Sequence, residues 1–117
     1  MRMIQFHANH VSASADSDYY SVTFEEEADD LDRPYLVIQR QFEDEEDKTC
    51  YIETHDPDYR GHFYVGRIEL TAGRLVVELD RPKDNLITVT FSTALRQFQA
   101  ASRVIKIISG EVEPDLE

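Results

Sequence analysis

Apolar and polar residues alternate with a period of two along most of this chain, which is the pattern of strands that bury one face. Residues 35–41 are apolar on both faces at the centre of the run, which indicates a central strand. Between two alternating runs, Thr71 to Arg74 predicts a tight hairpin turn in which Gly73 supplies a positive φ. The strand pattern occurs in these segments: residues 4–8, 20–24, 35–41, 50–54, 68–70, 75–79 and 87–91.

The period becomes helical near the end of the sequence. From about Thr93 to Ser109 the apolar residues recur at helical spacing, with Ser92 or Thr93 available as the N-cap and Gly110 as a stop signal. The patterns together predict an α+β fold, with a mainly antiparallel sheet of six or seven strands packed against one C-terminal helix. We expect the helix to bury one stripe against the sheet: Leu95, Phe98, Ile105 and Ile108.

The length of 117 residues suits a single domain, which we place at residues 1–110, followed by an acidic, frayed tail at 111–117. Cys50 is the one cysteine, so no internal disulfide can form and a reducing compartment is expected. Neither a signal peptide nor an apolar run of ~20 residues is present, so we expect a cytoplasmic protein with no membrane partner.

Acidic residues dominate the charge, with 24 Asp and Glu against 12 Lys and Arg and a formal net charge of −12. Much of this acid falls in two blocks, residues 25–32 and 43–47. Carboxylates this close repel one another, so a fold that keeps them solvates them or pairs them with a cation or a basic partner. The same acidity repels nucleic acid, and we expect no direct nucleic-acid binding.

The sequence carries no recognisable catalytic arrangement. It has neither the G-x-S-x-G motif of a nucleophile elbow nor a glycine-rich phosphate loop. We therefore predict no catalytic residues and no cofactor, and the acidic surface indicates binding rather than chemistry.

Potential metal ligands are densest between His55 and His62, where histidine and aspartate would suit zinc. The alternative is a structural turn, which the run Asp56-Pro57-Asp58 favours by its turn chemistry. The acidic run 43–47 lacks the spaced ligands and central glycine of a calcium loop, so a solvated hairpin tip is the expected structure. The prediction is that no metal is bound.

Arg40 is unusual in a core strand, because its charged side chain is on the same face as the apolar Leu36 and Ile38. An internal or edge salt bridge is the expected solution, and contact with a partner is the alternative. The chain also has six tyrosines, a residue type enriched at interfaces, although some of them must belong to the core.

The order of these segments resembles the immunity protein 10 family of bacterial polymorphic-toxin systems. Residues Pro34–Phe42 (PYLVIQRQF) are similar to the family's YLxLQRAL stretch, and Cys50–Glu53 resembles its YxVE strand. Tyr59–His62 is similar to the family's Tyr-Gly-Gly loop, with His62 in place of the second glycine. The hairpin at 67–77 and the closing strand and helix at 86–108 also match the family's order.

The resemblance implies a non-enzymatic immunity protein that binds and blocks a cognate bacterial toxin, and the acidity suits a basic, nuclease-type effector. We expect a monomer or a weak homodimer. A small homo-oligomeric structural or adaptor domain without a toxin partner is the alternative, and a metal-dependent enzyme using His55 and His62 is a third. The predicted partner-binding residues are Glu43, Asp44, Glu45, Glu46, Asp47, His55, Asp58, Tyr59 and His62.

Overall fold

The computed structural model describes residues 3–28, 30, 32–44 and 46–113. These residues form nine strands and one α-helix, which confirms the predicted α+β class and the C-terminal position of the helix. The elements are β1 (Met3–Ala8), β2 (His10–Asp16), β3 (Tyr19–Glu25), β4 (Tyr35–Gln41), β5 (Cys50–Thr54), a 3₁₀ turn (Pro57–Tyr59), β6 (Gly61–Phe63), β7 (Val65–Thr71), β8 (Arg74–Leu79), β9 (Leu86–Phe91) and α1 (Leu95–Ile108).

The strands form two sheets. The four-stranded sheet has the order β1-β9-β8-β7, and the five-stranded sheet has the order β2-β3-β4-β5-β6. All neighbours are antiparallel except β1 and β9, which run parallel. The prediction of a central strand at 35–41 is confirmed, because β4 lies in the middle of the five-stranded sheet.

At two places the chain passes directly from an edge strand of one sheet to an edge strand of the other. A single residue, Asn9, separates β1 at the edge of the four-stranded sheet from β2 at the edge of the five-stranded sheet. Tyr64 separates β6 from β7 in the same way at the opposite edges. At each of these two bends the sequence pattern predicted one strand, whereas the structure has two. Nine strands are therefore present where the pattern indicated six or seven.

The core lies between the facing surfaces of the two sheets. The rings of Phe24 on β3 and Phe91 on β9 lie 5.5 Å apart across it. Because side chains alternate along a strand, every second residue points inward and is removed from water. The inward set includes the fully buried side chains of Phe24, Leu36, Ile38, Ile52, Leu75, Leu79 and Ile87.

The helix packs chiefly against β2 and β3 and reaches β7, so it covers the core on that side. Ile105 and Ile108 are buried as predicted, but Leu95 is 68% exposed and Phe98 is only half-buried. The prediction that Leu95 is buried was wrong, because its side chain is on the solvent side of the first helical turn. Phe98 stacks instead on Phe91, with ring centroids 6.3 Å apart.

The helix ends differ in how well the sequence specified them. Ala94 is the N-cap and forms no side-chain cap hydrogen bond, so the expected cap at Ser92 or Thr93 was wrong. Gly110 has φ +88°, and its N–H donates to the Ile107 carbonyl at 3.1 Å, which confirms the predicted stop signal. Glu111–Glu113 belong to the described residues, whereas the rest of the predicted tail, 114–117, lies outside them.

The predicted hairpin at 71–74 is present and joins β7 to β8. Gly73 does not have a positive φ, so that part of the prediction was wrong. Its carbonyl accepts a hydrogen bond from the Phe91 N–H at 3.0 Å, which ties the turn to the end of β9 in an ordinary backbone conformation.

Arg40 does not form the expected salt bridge within the part of the chain that the structure describes. Its Nη1 donates to the Ile108 carbonyl at 2.7 Å, and its guanidinium lies 4.7 Å from the centroid of the Phe42 ring. The carbonyl end of a helix carries partial negative charge, which compensates a cation in place of a carboxylate. Arg40 therefore fixes the C-terminal end of α1 to the five-stranded sheet.

No helix among the described residues is both long enough and apolar enough to cross a membrane.

Candidate partner-binding face

The outer face of the five-stranded sheet carries exposed aromatic and polar side chains. Cross-strand pairing places Tyr19 opposite Gln41 and Gln39 opposite Tyr51, and Tyr51 in turn opposite His62. Tyr19 is 51% exposed, whereas the next residue, Tyr20, is 3% exposed and belongs to the core. Together with nearby loop residues they enclose a groove of about 290 Å³, here called the Tyr19–Tyr51 groove and lined by Tyr19, Gln39, Arg40, Gln41, Asp47, Thr49, Tyr51 and His62.

The acidic loop between β4 and β5 borders this groove and is held in place by Gln41. The Gln41 side-chain oxygen accepts hydrogen bonds from the backbone N–H groups of Glu43 at 2.7 Å and Asp44 at 3.1 Å. Its Nε2 donates to Asp47 Oδ2 at 3.1 Å. One side-chain amide therefore joins both ends of the loop to the end of β4.

Asp47 is the most constrained carboxylate of the loop. Its Oδ1 accepts from the Thr49 hydroxyl at 2.6 Å and from the Thr49 N–H at 2.9 Å. These bonds, followed by the Gln41 amide and the nearby His62, lower the pKa of Asp47 to about 2 because they favour the charged form. Asp47 thus presents a negative charge to the groove throughout the neutral and mildly acidic range.

The other predicted residues of the run differ from Asp47. Glu43, Asp44 and Glu46 are exposed, in agreement with a solvated loop, and Glu45 lies outside the described residues. The loop therefore combines one half-buried carboxylate with exposed ones, among which Asp44 Oδ1 accepts a hydrogen bond from the Glu46 N–H at 3.0 Å.

A second carboxylate, Glu53, positions the tyrosines of the face. Its two oxygens accept hydrogen bonds from the hydroxyl groups of Tyr51 at 2.7 Å and Tyr35 at 2.9 Å. The Tyr51 bond, then the Tyr35 bond, lowers the pKa of Glu53. The same contacts help to raise the pKa of both tyrosines, with burial the larger cause for Tyr35. Tyr51 is thereby held as a wall of the groove.

The predicted residues between 55 and 62 do not form one cluster. His62 pairs with Tyr51 near the start of β5, and their rings lie 5.4 Å apart, so it lines the groove. His55 follows the other end of β5, where its Nδ1 accepts from the Tyr35 N–H at 3.3 Å and its ring meets Phe6 edge-on. Asp58 is exposed in the 3₁₀ turn, on the His55 side.

The prediction that Tyr59 contacts a partner was wrong. Its side chain is fully buried, and the Arg81 guanidinium lies 4.9 Å from its ring centroid. The ring is packed in the core beneath Arg81, so it is not available to a partner as predicted.

The structural-turn interpretation of this segment is confirmed. The Asp56 side chain accepts from the Asp58 N–H at 3.0 Å and caps the 3₁₀ turn that begins at Pro57. Within the described ranges, no group of three or more His, Cys, Asp or Glu side chains is placed to share a metal ion.

The two acidic blocks lie at opposite ends of the five-stranded sheet. The first follows β3 and precedes β4, whereas the second follows β4, so the length of β4, roughly 20 Å, separates them. Arg33 partly neutralises the first block through a 2.7 Å ion pair with Glu26, and Asp29 lies outside the described residues. Among the described residues of the two blocks, the groove is lined by Asp47 of the second block.

At the four-stranded sheet, two hydroxyl groups lie close to the imidazole of His7. Ser92 Oγ lies 3.3 Å from His7 Nε2, and Thr90 Oγ1 lies 2.8 Å from His7 Nδ1. These side chains are exposed, and the imidazole is oriented by a threonine rather than by the carboxylate of a catalytic triad. The contacts are those of a surface hydrogen-bond network.

Sequence reasoning missed the residues that build the groove walls and floor: Tyr19, Gln39, Gln41, Thr49 and Tyr51. Their signal is the outward register of alternate residues on three neighbouring strands, which needs the strand pairing to be visible.

Comparison with protein-family models and with curated proteins found no match to this chain.

Proposed function

We propose that this chain is a non-enzymatic immunity protein, which neutralises a cognate bacterial toxin by covering a basic surface of that toxin. The observation that carries the proposal is the acidic loop held rigidly beside an exposed tyrosine groove. A basic, nuclease-type effector is the proposed partner, and the cytoplasm is the proposed compartment.

Preorganisation is the first physical support. A flexible loop loses conformational freedom when it binds, and this loss weakens association. The Gln41 amide donates to Asp47 and accepts from the N–H groups of Glu43 and Asp44, and these bonds fix the described part of the acidic loop before any partner arrives. The fixed acid can both steer a basic surface and remain in place after contact.

The tyrosine face is the second support. Tyrosine provides large contact area with few rotatable bonds, and such residues often dominate the energy of an interface. Tyr19 stands largely exposed beside the acid, with Tyr51 across the groove. An aromatic centre bordered by charge is the arrangement of many protein-binding sites.

Part of the family resemblance falls on the same face. The segment 34–42 is centred on β4, which supplies Gln39 and Gln41, and the segment 50–53 is in β5, which supplies Tyr51 and Glu53. Part of the resemblance, including Gln39 and Tyr51, therefore lies on the candidate surface, while Gln41 departs from the family's stretch and other matching segments lie at 67–77 and 86–108.

The test is co-expression with the product of the adjacent gene. We expect that protein to arrest growth alone, and co-expression of this chain to restore growth and yield a stable complex. Tyr19→Ala should weaken the complex, whereas Tyr64→Ala should not, since Tyr64 is 61% exposed at the bend between β6 and β7. Arrest without rescue, or no complex at all, would count against the proposal.

The alternative of a homo-oligomeric adaptor gains little from the sheet edges. Among the edge strands of the five-stranded sheet, β6 has only three residues and β2 is in contact with α1. A dimer that persists at low concentration, together with no rescue, would favour that alternative.

A further inference from the structure

The Tyr19–Tyr51 groove has the shape of a receptor for one side chain. Tyr19 on β3 and Tyr51 on β5 flank β4, so their strands stand roughly 10 Å apart, with Gln39 and Gln41 on the floor between them. A volume of about 290 Å³ is at the lower limit of sites for drug-sized ligands. The groove therefore suits a protruding side chain better than a whole ligand molecule.

The chemistry of the groove favours a cation. An ionised carboxylate offers about four acceptor positions, and the protein donors on Asp47 are two on Oδ1 and one on Oδ2. One position on Oδ2 is left for an incoming donor. Glu43, Asp44 and Glu46 add negative charge at the border.

Two basic groups also face the groove, and neither reverses this preference. Arg40 directs its Nη1 away to the helix carbonyl of Ile108 and lies over Phe42. His62 packs against the Tyr51 ring. The carboxylates of Asp47 and the neighbouring loop outnumber these groups.

We infer that the groove receives one arginine side chain of the protein partner, whose guanidinium packs against the Tyr19 and Tyr51 rings and donates to Asp47. Arginine fits better than lysine because its planar guanidinium both stacks on aromatic rings and donates hydrogen bonds from its edge. The identity of the partner rests on the proposed immunity function, whereas the binding chemistry of the groove does not.

The inference can be tested without a toxin. The isotope-labelled protein is titrated with N-acetyl-arginine amide, and amide shifts are followed by NMR. N-acetyl-citrulline amide is the matched control, since it keeps the planar shape but has no charge. We expect saturable shifts for Gln39, Gln41, Tyr51 and His62 with the arginine probe, and weak or no shifts with citrulline.

Variants separate specific binding from general attraction. Asp47→Asn should weaken arginine binding by on the order of tenfold or more, the usual size of one lost charge-assisted hydrogen bond. Glu43→Gln removes the same charge from the exposed loop and should change the affinity by less than about twofold. Tyr19→Ala is a further probe, because loss of an exposed ring leaves the Asp47 hydrogen bonds in place.

Three outcomes would overturn the inference: equal binding of citrulline, shifts located outside the groove, or equal sensitivity to Glu43→Gln and Asp47→Asn. Equal citrulline binding would indicate a site for neutral polar ligands instead. If arginine binds as expected but the adjacent gene product forms no complex, the immunity function fails and the cation site remains. If the complex forms but arginine does not bind, the groove assignment alone fails.

Discussion

Asp47 and Gln41 show how two side chains can organise an acidic segment at the scale of single residues. The run 43–47 would by its charge tend to expand into solvent. The hydrogen bonds of Gln41 to the backbone of Glu43 and Asp44, and of Thr49 to Asp47, oppose that tendency locally. The loop is shaped by neutral donors that bind the Gln41 amide oxygen and the Asp47 carboxylate, while Glu43 and Glu46 remain exposed.

The depressed pKa of Asp47 predicts how stability depends on pH. Its pKa falls from an ordinary value of 3.8 to about 2 in the folded protein. A carboxylate whose pKa is lower in the folded than in the unfolded protein stabilises the fold. For Asp47 this stabilisation is complete above the unfolded-state pKa of 3.8 and is lost as the pH falls from 3.8 towards about 2. Asp47→Asn should therefore flatten the fall of melting temperature across this range, relative to the unmodified chain.

Thermal unfolding followed by circular dichroism between these pH values measures the effect. Thr49→Val removes one of the hydrogen bonds to Asp47 and should flatten the profile in the same direction but less. Parallel profiles for the unmodified chain and Asp47→Asn would show that the carboxylate has no such role.

At the scale of elements, α1 is defined by which of its apolar residues reach the core. Ala101, Val104, Ile105, Ile107 and Ile108 are buried, so the buried surface is concentrated in the second half of the helix. The contact between Arg40 and the Ile108 carbonyl is at the same end. The helix is therefore held most firmly at its C-terminal half.

Alanine substitutions along the helix should reveal this gradient. Ile105→Ala should reduce the free energy of unfolding by about 2–5 kcal/mol, as large-to-small core changes do. Leu95→Ala, at an exposed site, should stay within about 0.5 kcal/mol. Phe98→Ala should fall between the two, because its ring is half-buried against Phe91. Chemical denaturation measures all three, and a Leu95→Ala loss equal to that of Ile105→Ala would contradict the described packing.

At the scale of the whole molecule, the charge of −12 is distributed unevenly over the fold. The two acidic blocks lie at opposite ends of β4, and among their described residues Asp47 of the second block lines the groove. Long-range attraction draws on the total charge, but orientation depends on where the charge is fixed. The molecule should therefore present its groove end to a basic partner.

This asymmetry predicts the kinetics of association with the cognate toxin. Neutralising Glu43, Asp44, Glu45 and Glu46 to Gln or Asn should lower the on-rate, by on the order of tenfold at low salt, more than it raises the off-rate. Asp47 is left unchanged because its hydrogen bonds shape the loop. The matched control neutralises the same number of charges in the first block: Glu27, Asp29, Asp30 and Asp32.

Stopped-flow binding over a salt series measures this difference. Added salt should steeply lower the association rate of the unmodified chain, since the screening length shortens to about 8 Å at physiological ionic strength. Equal on-rates for the two neutralised variants would mean that net charge alone, and not its location, determines the rate. A salt-independent on-rate would mean that the acidic residues do not steer association and serve solubility instead.

The features that depend on near neighbours in the chain could be predicted from the amino-acid pattern. The apolar residues on both faces of 35–41 identified a central strand, the turn chemistry of Asp56 and Pro57 identified a structural turn, and Gly110 marked the end of the helix. Each of these signals lies within a few residues, where backbone preference and side-chain period act directly. The sequence pattern missed β6 and β2, and in β2 Val11 is buried, Ala13 is half-buried and Ala15 is exposed.

Which faces are covered and which distant residues meet depends on how the strands and the helix pack together. Tyr19 and Tyr20 are neighbours of the same type, yet the core covers one and solvent reaches the other. The candidate site joins Tyr19 on β3, Tyr51 on β5 and His62 on β6 to the Asp47 loop, a meeting set by strand order and register. Alternation divides a strand into two faces, but only packing against the rest of the chain decides which face is buried.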